Sequence, residues 1–285
     1  MKKLLLLIFL LCLSVTAEKK IVLVAGKDSH GYGDHEFRAG CYLLAERLNK
    51  SGLDIKATVI EEKKWPESNE IFDAADAIII YSDGSGGHPL EHNNRFKYFE
   101  SLMKKGKGVG FMHYACEVKD DKGPIMIDWI GGYYKNNFST NPHWVCSSIL
   151  NKEHPCTNGV KDFKLRDEWY FNIMFGKDVV KILQGVPTKE DRQGKSSWPR
   201  GPHKHIVEAE GRTETLLWTL KRADGGRGFG FTGGHVHWNW KDDNYRKLIL
   251  NTIIWSAGID VPKDGVSSTT PTQKEMEANM KPKKK

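Results

Sequence analysis

The sequence predicts a doubly wound α/β fold, a mostly parallel sheet with helices on both faces. Three observations carry this. The runs KIVLVA (Lys20–Ala25) and AIIIYS (Ala77–Ser82) are apolar without alternation, as strands covered on both faces should be. Strand and helix patterns alternate through the first third of the chain. An amphipathic helix at Asp243–Ala257 closes the ordered part.

In chain order, the first strand at Lys20–Ala25 ends in Gly26. Cys41, Leu44, Ala45 and Leu48 then recur at helical spacing until Ser51-Gly52 stops them. A second strand fits Ile55–Ile60 and a third fits Ala77–Ser82. A helix at Asn93–Lys104 leads into a fourth strand, Gly108–His113. From Asp120 to Ile206 the pattern loosens into short strands such as Trp144–Ile149 and Val179–Leu183, read as insertions on one domain. Thr215–Leu220, the turn Asp224-Gly225-Gly226 and Gly228–Thr232 form a hairpin or adjacent strands. In the last helix Leu248, Ile249, Thr252, Ile253 and Trp255 fall near one another.

The two ends read differently. Met1–Ala17, with a lysine pair, an apolar run from Leu4 to Leu13 and a Val15-Thr16-Ala17 exit, has the form of a secretory signal peptide cleaved after Ala17. The run is too short to span a bilayer, and Leu11 is too bulky for lipid modification at Cys12. The expected destination is secreted or periplasmic, with no membrane span after cleavage. Residues 263–285 end in KPKKK and show no apolar periodicity, so a basic flexible tail is expected there. The folded domain would then span residues 18–262.

The 285 residues carry a net charge of +7. Two lysines lie in the leader, and the tail holds six lysines against three acids, so Glu18–Pro262 keeps only +2. Its lysines are spread among acids, which argues against a nucleic-acid partner. Assembly into identical copies stays open. Cys146 and Cys156 are the one pair close enough in sequence to suggest a disulfide; buried free thiols are the alternative.

In an open parallel sheet, ligands bind beyond the carboxyl ends of the strands. There the chain places His30, His35 and Glu36 after the first strand, and Asp83 and His88 after the third. His113 and Glu117 follow the fourth, and His235 and His237 follow the late strand. Four loops on one sheet edge thus each deliver histidine, and flanking glycines leave room for close approach. A polar pocket at that edge is expected. Its imidazoles suit either of two uses. His30, His35, His88, His113 and His235 can ligate a divalent metal such as zinc, although no HExxH or CxxC spacing supports this. Alternatively His113 and His235 act as acid and base with Glu117, Asp167 or Glu168 as carboxylate partners. Trp169 and Tyr170 in RDEWYF, with His237 and Trp238 in GGHVHWNW, are the side chains that would stack on or bond to a small sugar ligand; packing in the core is the competing use. GSGG at Gly84–Gly87 lacks the lysine of a phosphate loop.

The motifs SHGYGDHEF, YSDGSGGHP, GFMHYA, HPCTNGV followed by DEWY, GRGFGFTGGH and a closing IIWSAG, in this order, resemble the ThuA-like family. That family is named for trehalose utilisation and sits within the class I glutamine amidotransferase-like fold. The resemblance implies a flavodoxin-like sheet and a role in carbohydrate metabolism, on a glycoside or an oxidised keto-sugar, as a hydrolase or a lyase/isomerase. Amidotransferases of that fold place a nucleophilic Cys on the turn after a central strand, with His and Glu later. Here His113 takes the turn, Cys116 comes three residues on, and no Glu stands two residues after His235. A glutamine amidotransferase is therefore not expected. A non-catalytic sugar-binding module and a metal-dependent hydrolase of a non-sugar substrate are the other readings.

Overall fold

The computed structural model describes residues 17–194 and 199–283. The leader read at Met1–Ala17 lies outside the described residues except for Ala17 itself. The elements in chain order are β1 (Lys19–Ala25), α1 (Phe37–Asn49), β2 (Ile55–Glu61), α2 (Glu70–Asp73), β3 (Ala77–Tyr81), α3 (Arg95–Met103) and β4 (Gly108–Met112). There follow α4 (Gly123–Ile130), β5 (Gly132–Tyr133), β6 (His143–Ser147), β7 (Ile149–Leu150), β8 (Lys164–Glu168), β9 (Met174–Phe175) and β10 (Val180–Gly185). The chain continues with α5 (Lys204–Val207), β11 (Glu214–Lys221), β12 (Arg227–Phe231), α6 (Asp243–Ser256) and α7 (Gln273–Glu277).

The main sheet has the order β2-β1-β3-β4-β12-β11-β10-β7. Its first five strands are parallel, and β11, β10 and β7 extend it antiparallel. Successive side chains of a strand point to opposite faces, and here each face is covered. Ile21, Leu23 and Ile79 join the core beneath α1 and α6, while Val22, Val24, Ile78 and Ile80 join the core beneath α3 and α4. Covering on both faces is why these strands read as unbroken apolar runs.

The loose middle of the chain differs from its expectation in register. The strand expected at Trp144–Ile149 divides at Ser148: β6 leaves the main sheet to pair antiparallel with β8, and β7 joins the sheet edge beside β10. β5 and β9 make a second small ribbon. The expected hairpin forms from β11 and β12. Cys146 and Cys156 are both buried free thiols, so the suggested disulfide is not formed.

The solvated tail is also corrected. Val266 and Met276 are fully buried, and α7 starts with a capping box between Thr272 and Glu275. Arg246 donates to Ser268 Oγ and the Thr269 carbonyl, and Arg47 donates to Glu275. The composition hid this because the buried residues are few and widely spaced. No helix among the described residues is long and apolar enough to cross a membrane.

Candidate functional site

β1, β3, β4 and β12 run parallel, so the loops after them emerge on one edge. The loop after β1 and the one after β12 bond to each other: the His35 amide donates to the His235 carbonyl (3.1 Å) and the His237 amide to the Gly33 carbonyl (2.9 Å). Beneath them, Gly84 lets the loop after β3 pass close to the one after β4. A Cβ there would stand 2.3 Å from the Tyr114 carbonyl oxygen and 2.7 Å from that of Glu117. His30, His35 and His113 all hold positive φ, at 64°, 48° and 57°. Side-chain-bearing residues keep such conformations only where the surroundings hold them.

The result is a buried cluster of His35, His113, His235 and Glu168, whose ligand atoms all lie within 4.8 Å of one another. His35 Nε2 is 2.9 Å from His113 Nε2 and 3.0 Å from His235 Nδ1. Glu168 Oε2 is 3.2 Å from His235 Nδ1 and 3.4 Å from His113 Nε2. Its other oxygen accepts from Asn141 Nδ2 (3.0 Å) and lies 3.5 Å from His143 Nε2.

The outward nitrogens fix the tautomers. His113 Nδ1 lies 2.9 Å from the Thr232 carbonyl, which only accepts, so the proton sits on Nδ1 and Nε2 is a lone pair. His35 Nδ1 lies 3.0 Å from Asp83 Oδ1, and a proton donated to that carboxylate again leaves Nε2 bare. Ser29 Oγ braces both members of this pair at 2.9 Å. Burial pushes His35 down to about 2, with the neighbouring His235 and His30 acting in the same sense, and His113 down to about 3. Neither ring takes an extra proton at neutral pH. Two lone pairs therefore face each other at hydrogen-bond distance.

Burial would raise Glu168, but hydrogen bonds from His143 and His235 outweigh it and hold this carboxylate below its usual range. Burial would likewise lower His235; Glu168 reverses that and raises it. The donor set fits a divalent cation. Three imidazoles and one carboxylate converge, and the far nitrogens of His35 and His113 are held by Asp83 and the Thr232 carbonyl, the support typical of metal-ligating histidine. Asp34 stands 3.7 Å from the far nitrogen of His235.

Above the cluster opens a cavity of about 370 Å³ lined by His30, His35, Tyr114, Glu117, Tyr134, Asn141, Glu168 and Tyr170. Burial pushes Glu117 up to about 7, opposed by a hydrogen bond from Asn136. Burial also raises Tyr114 to about 12, so its phenol stays neutral. The Tyr170 hydroxyl is 3.3 Å from His113 Nδ1.

The other expected site residues stand elsewhere. Asp167 is fully buried and accepts from the Gly234 and Val236 amides and from the Tyr245 hydroxyl, so it holds the turn that carries His235. His88 is in the core, stacked on Phe96 and accepting from the Leu90 amide; it is outside the cluster that was expected to include it. His237 donates Nε2–H to the Met276 carbonyl (2.7 Å). The Trp169 indole is buried and donates to the Leu165 carbonyl, and Trp238 packs over Gly33 and Tyr32. Cys116 is buried, its S–H aimed at the Phe111 carbonyl and its acidity suppressed to about 12, so it is no nucleophile. Sequence reasoning missed Ser29, Tyr114, Tyr134, Asn141 and His143. The last arrives through the β6–β8 register, which sets His143 opposite Glu168.

The model of the family described as ThuA, trehalose utilisation, matches residues 21–256, which contain every residue of the cluster and cavity. Among solved structures, the chain is similar to a ThuA-like protein from Bacteroides uniformis at 16% identity and a TM-score of 0.58, covering 87% of this chain and 94% of that one. It is similar to a ThuA-like protein from Parabacteroides merdae at 15% identity and a TM-score of 0.56, covering 92% and 99%. A cytoplasmic protein from Salmonella typhimurium follows at 14% identity and 0.53, covering 84% and 98%. These likenesses show the fold. No curated protein matches the sequence.

Proposed function

We propose, from the premise that the chain belongs to the ThuA family of trehalose utilisation, that its cavity takes an uncharged sugar, a glycoside or keto-sugar. Its transformation there is a hydrolysis or a lyase/isomerase-type proton transfer. The observation that supports this most directly is the convergence of His35, His113, His235 and Glu168 beneath a cavity lined by phenols, an amide and one proton-exchanging carboxylate. A divalent ion held by those four residues would polarise a carbonyl or hydroxyl oxygen of the sugar.

The chain's own groups supply the rest. Glu117, half-ionised near pH 7, both takes and returns a proton within the physiological range. Tyr114 and Tyr170 offer hydroxyls, and the tyrosine rings offer apolar faces to a pyranose. Among the described residues no lysine or arginine lines the cavity, so a phosphate or carboxylate group would find no side-chain countercharge there. That selects neutral sugars over sugar phosphates.

Mass spectrometry of products after incubation with trehalose, other disaccharides and their keto derivatives tests the reading. A product that forms with added zinc and is lost in Glu117→Gln supports it. Saturable stabilisation by a sugar without product assigns a binding module instead. No response to any sugar, with turnover of an amide or ester, overturns the substrate class.

We also propose export, on the leader read at Met1–Ala17. A mature chain beginning at Glu18 outside the cytoplasm is the expected finding, and an intact cytoplasmic chain contradicts it.

A further inference from the structure

Residues 264–283 lie beyond the segment the family model matches, yet they fold back over the loop that delivers His30 and His35. The buried Met276 and its carbonyl, which accepts from His237, seat α7 against the turn after β12. The chain then places Lys281 inside the first loop. Its amide donates to Glu36 Oε2 at 3.0 Å. Its ammonium donates to the carbonyls of Ser29 (2.5 Å) and Asp34 (2.7 Å) and lies 3.7 Å from Glu36 Oε1. The Lys281 side chain is 16% exposed and the Glu36 carboxylate is fully buried.

One ammonium thus ties together the two ends of the six-residue stretch Ser29–Asp34. His30 within that stretch and His35 immediately after it hold positive φ, and Ser29 Oγ braces His35 Nδ1 and Asp83. Burying an ammonium and a carboxylate together is a weak route to stability, since their desolvation opposes their attraction. What such a pair does supply is a fixed geometry, and the geometry it fixes is that of a cluster member.

We propose that Lys281 is a positioning residue of the histidine site: by binding the Ser29 and Asp34 carbonyls it holds the loop in the one conformation that turns His35 Nε2 toward His113 and His235. The proposal rests on the divalent-ion reading of the cluster for its consequence, and on the loop contacts alone for its mechanism.

The experiment uses the full chain with Lys281→Met, Lys281→Arg and, as a control that frays α7 without touching the loop, Thr272→Ala. Amide hydrogen exchange of peptides covering residues 27–36 and titration with Co(II) followed by its visible spectrum are read side by side. In K281M, exchange across 29–36 accelerates about 10-fold or more while β1, β3 and β4 stay protected, and Co(II) binding weakens about 10- to 100-fold, the scale on which outer-shell support acts. K281R, which keeps charge and donors, recovers most of the affinity, and T272A stays close to wild type. Unchanged loop exchange in K281M overturns the proposal; so does T272A matching K281M in both readouts. If K281M does not fold, K281Q, a donor without the charge, is read in the same way. A wild-type chain that takes up no Co(II) removes the ion reading, and loop exchange then decides for or against Lys281 by itself.

Discussion

His35 Nε2 and His113 Nε2 stand 2.9 Å apart in the buried floor of the cavity, each with its outward nitrogen committed to an acceptor. Neutral imidazoles so placed turn lone pair against lone pair. A cation between His35, His113, His235 and Glu168 would turn that opposition into ligation, and the supporting acceptors around the cluster fit such an ion.

Asp83→Asn keeps the size of the side chain but removes the negative charge that holds the proton of His35 on Nδ1. Divalent-ion affinity is expected to fall about 10- to 100-fold, as for other outer-shell losses. Isothermal titration with zinc checks this, and an affinity equal to wild type would show that Asp83 does not orient His35.

Glu117 gives the pH dependence. Its folded pKa of about 7 lies above the ordinary 4.5, because burial penalises the carboxylate. Between those values the folded chain binds the extra proton, so this group's contribution to stability is full below pH ~4.5 and is lost as pH rises through ~7. Over that window it amounts to at most about 3 kcal/mol. Denaturant unfolding at a series of pH values should show Glu117→Gln flattening the decline, and the same substitution should remove a limb near pH 7 from the rate profile.

Gly84→Ala places a methyl group against the Tyr114 and Glu117 carbonyls, both backbone atoms with no freedom to swing away. The strand end must shift, at about 1–3 kcal/mol or more. Chemical denaturation measures the cost; because His113 and Glu117 ride on the displaced segment, activity is expected to fall further than stability does.

The cysteines give a negative prediction. Cys41, Cys116, Cys146 and Cys156 are all buried, and burial raises the thiol of Cys41 and pushes those of Cys116, Cys146 and Cys156 up to about 12. Iodoacetamide at pH 8 should leave all four unlabelled in the native state and label them after unfolding. Rapid native labelling of Cys116 would reopen thiol chemistry at this site.

Much of this site could be read from sequence because parallel strands were recognisable and their carboxyl edge follows from topology. His30, His35, His113 and His235 meet there for that reason. His88 follows the same kind of glycine-rich turn, yet its ring packs back between Phe96 and Phe111, a choice made by core packing rather than by the turn. Asp167 and Glu168 are neighbours in β8, so their side chains take opposite directions: Glu168 enters the cluster and Asp167 anchors the Gly234–Val236 turn. No local pattern says which is which. His143 and Asn141 depend on a ribbon paired across more than twenty residues, and Lys281 on a contact spanning most of the chain. Both are non-local facts without a periodic trace.

The central claim is tested most directly by titrating the purified, chelator-stripped chain with Co(II) while following absorbance and bound metal together. The account predicts one equivalent per chain with a visible spectrum of nitrogen and oxygen ligation, abolished in His113→Ala while the protein stays folded. Failure of the wild-type chain to bind a stoichiometric ion, or undiminished binding in His113→Ala, would contradict it.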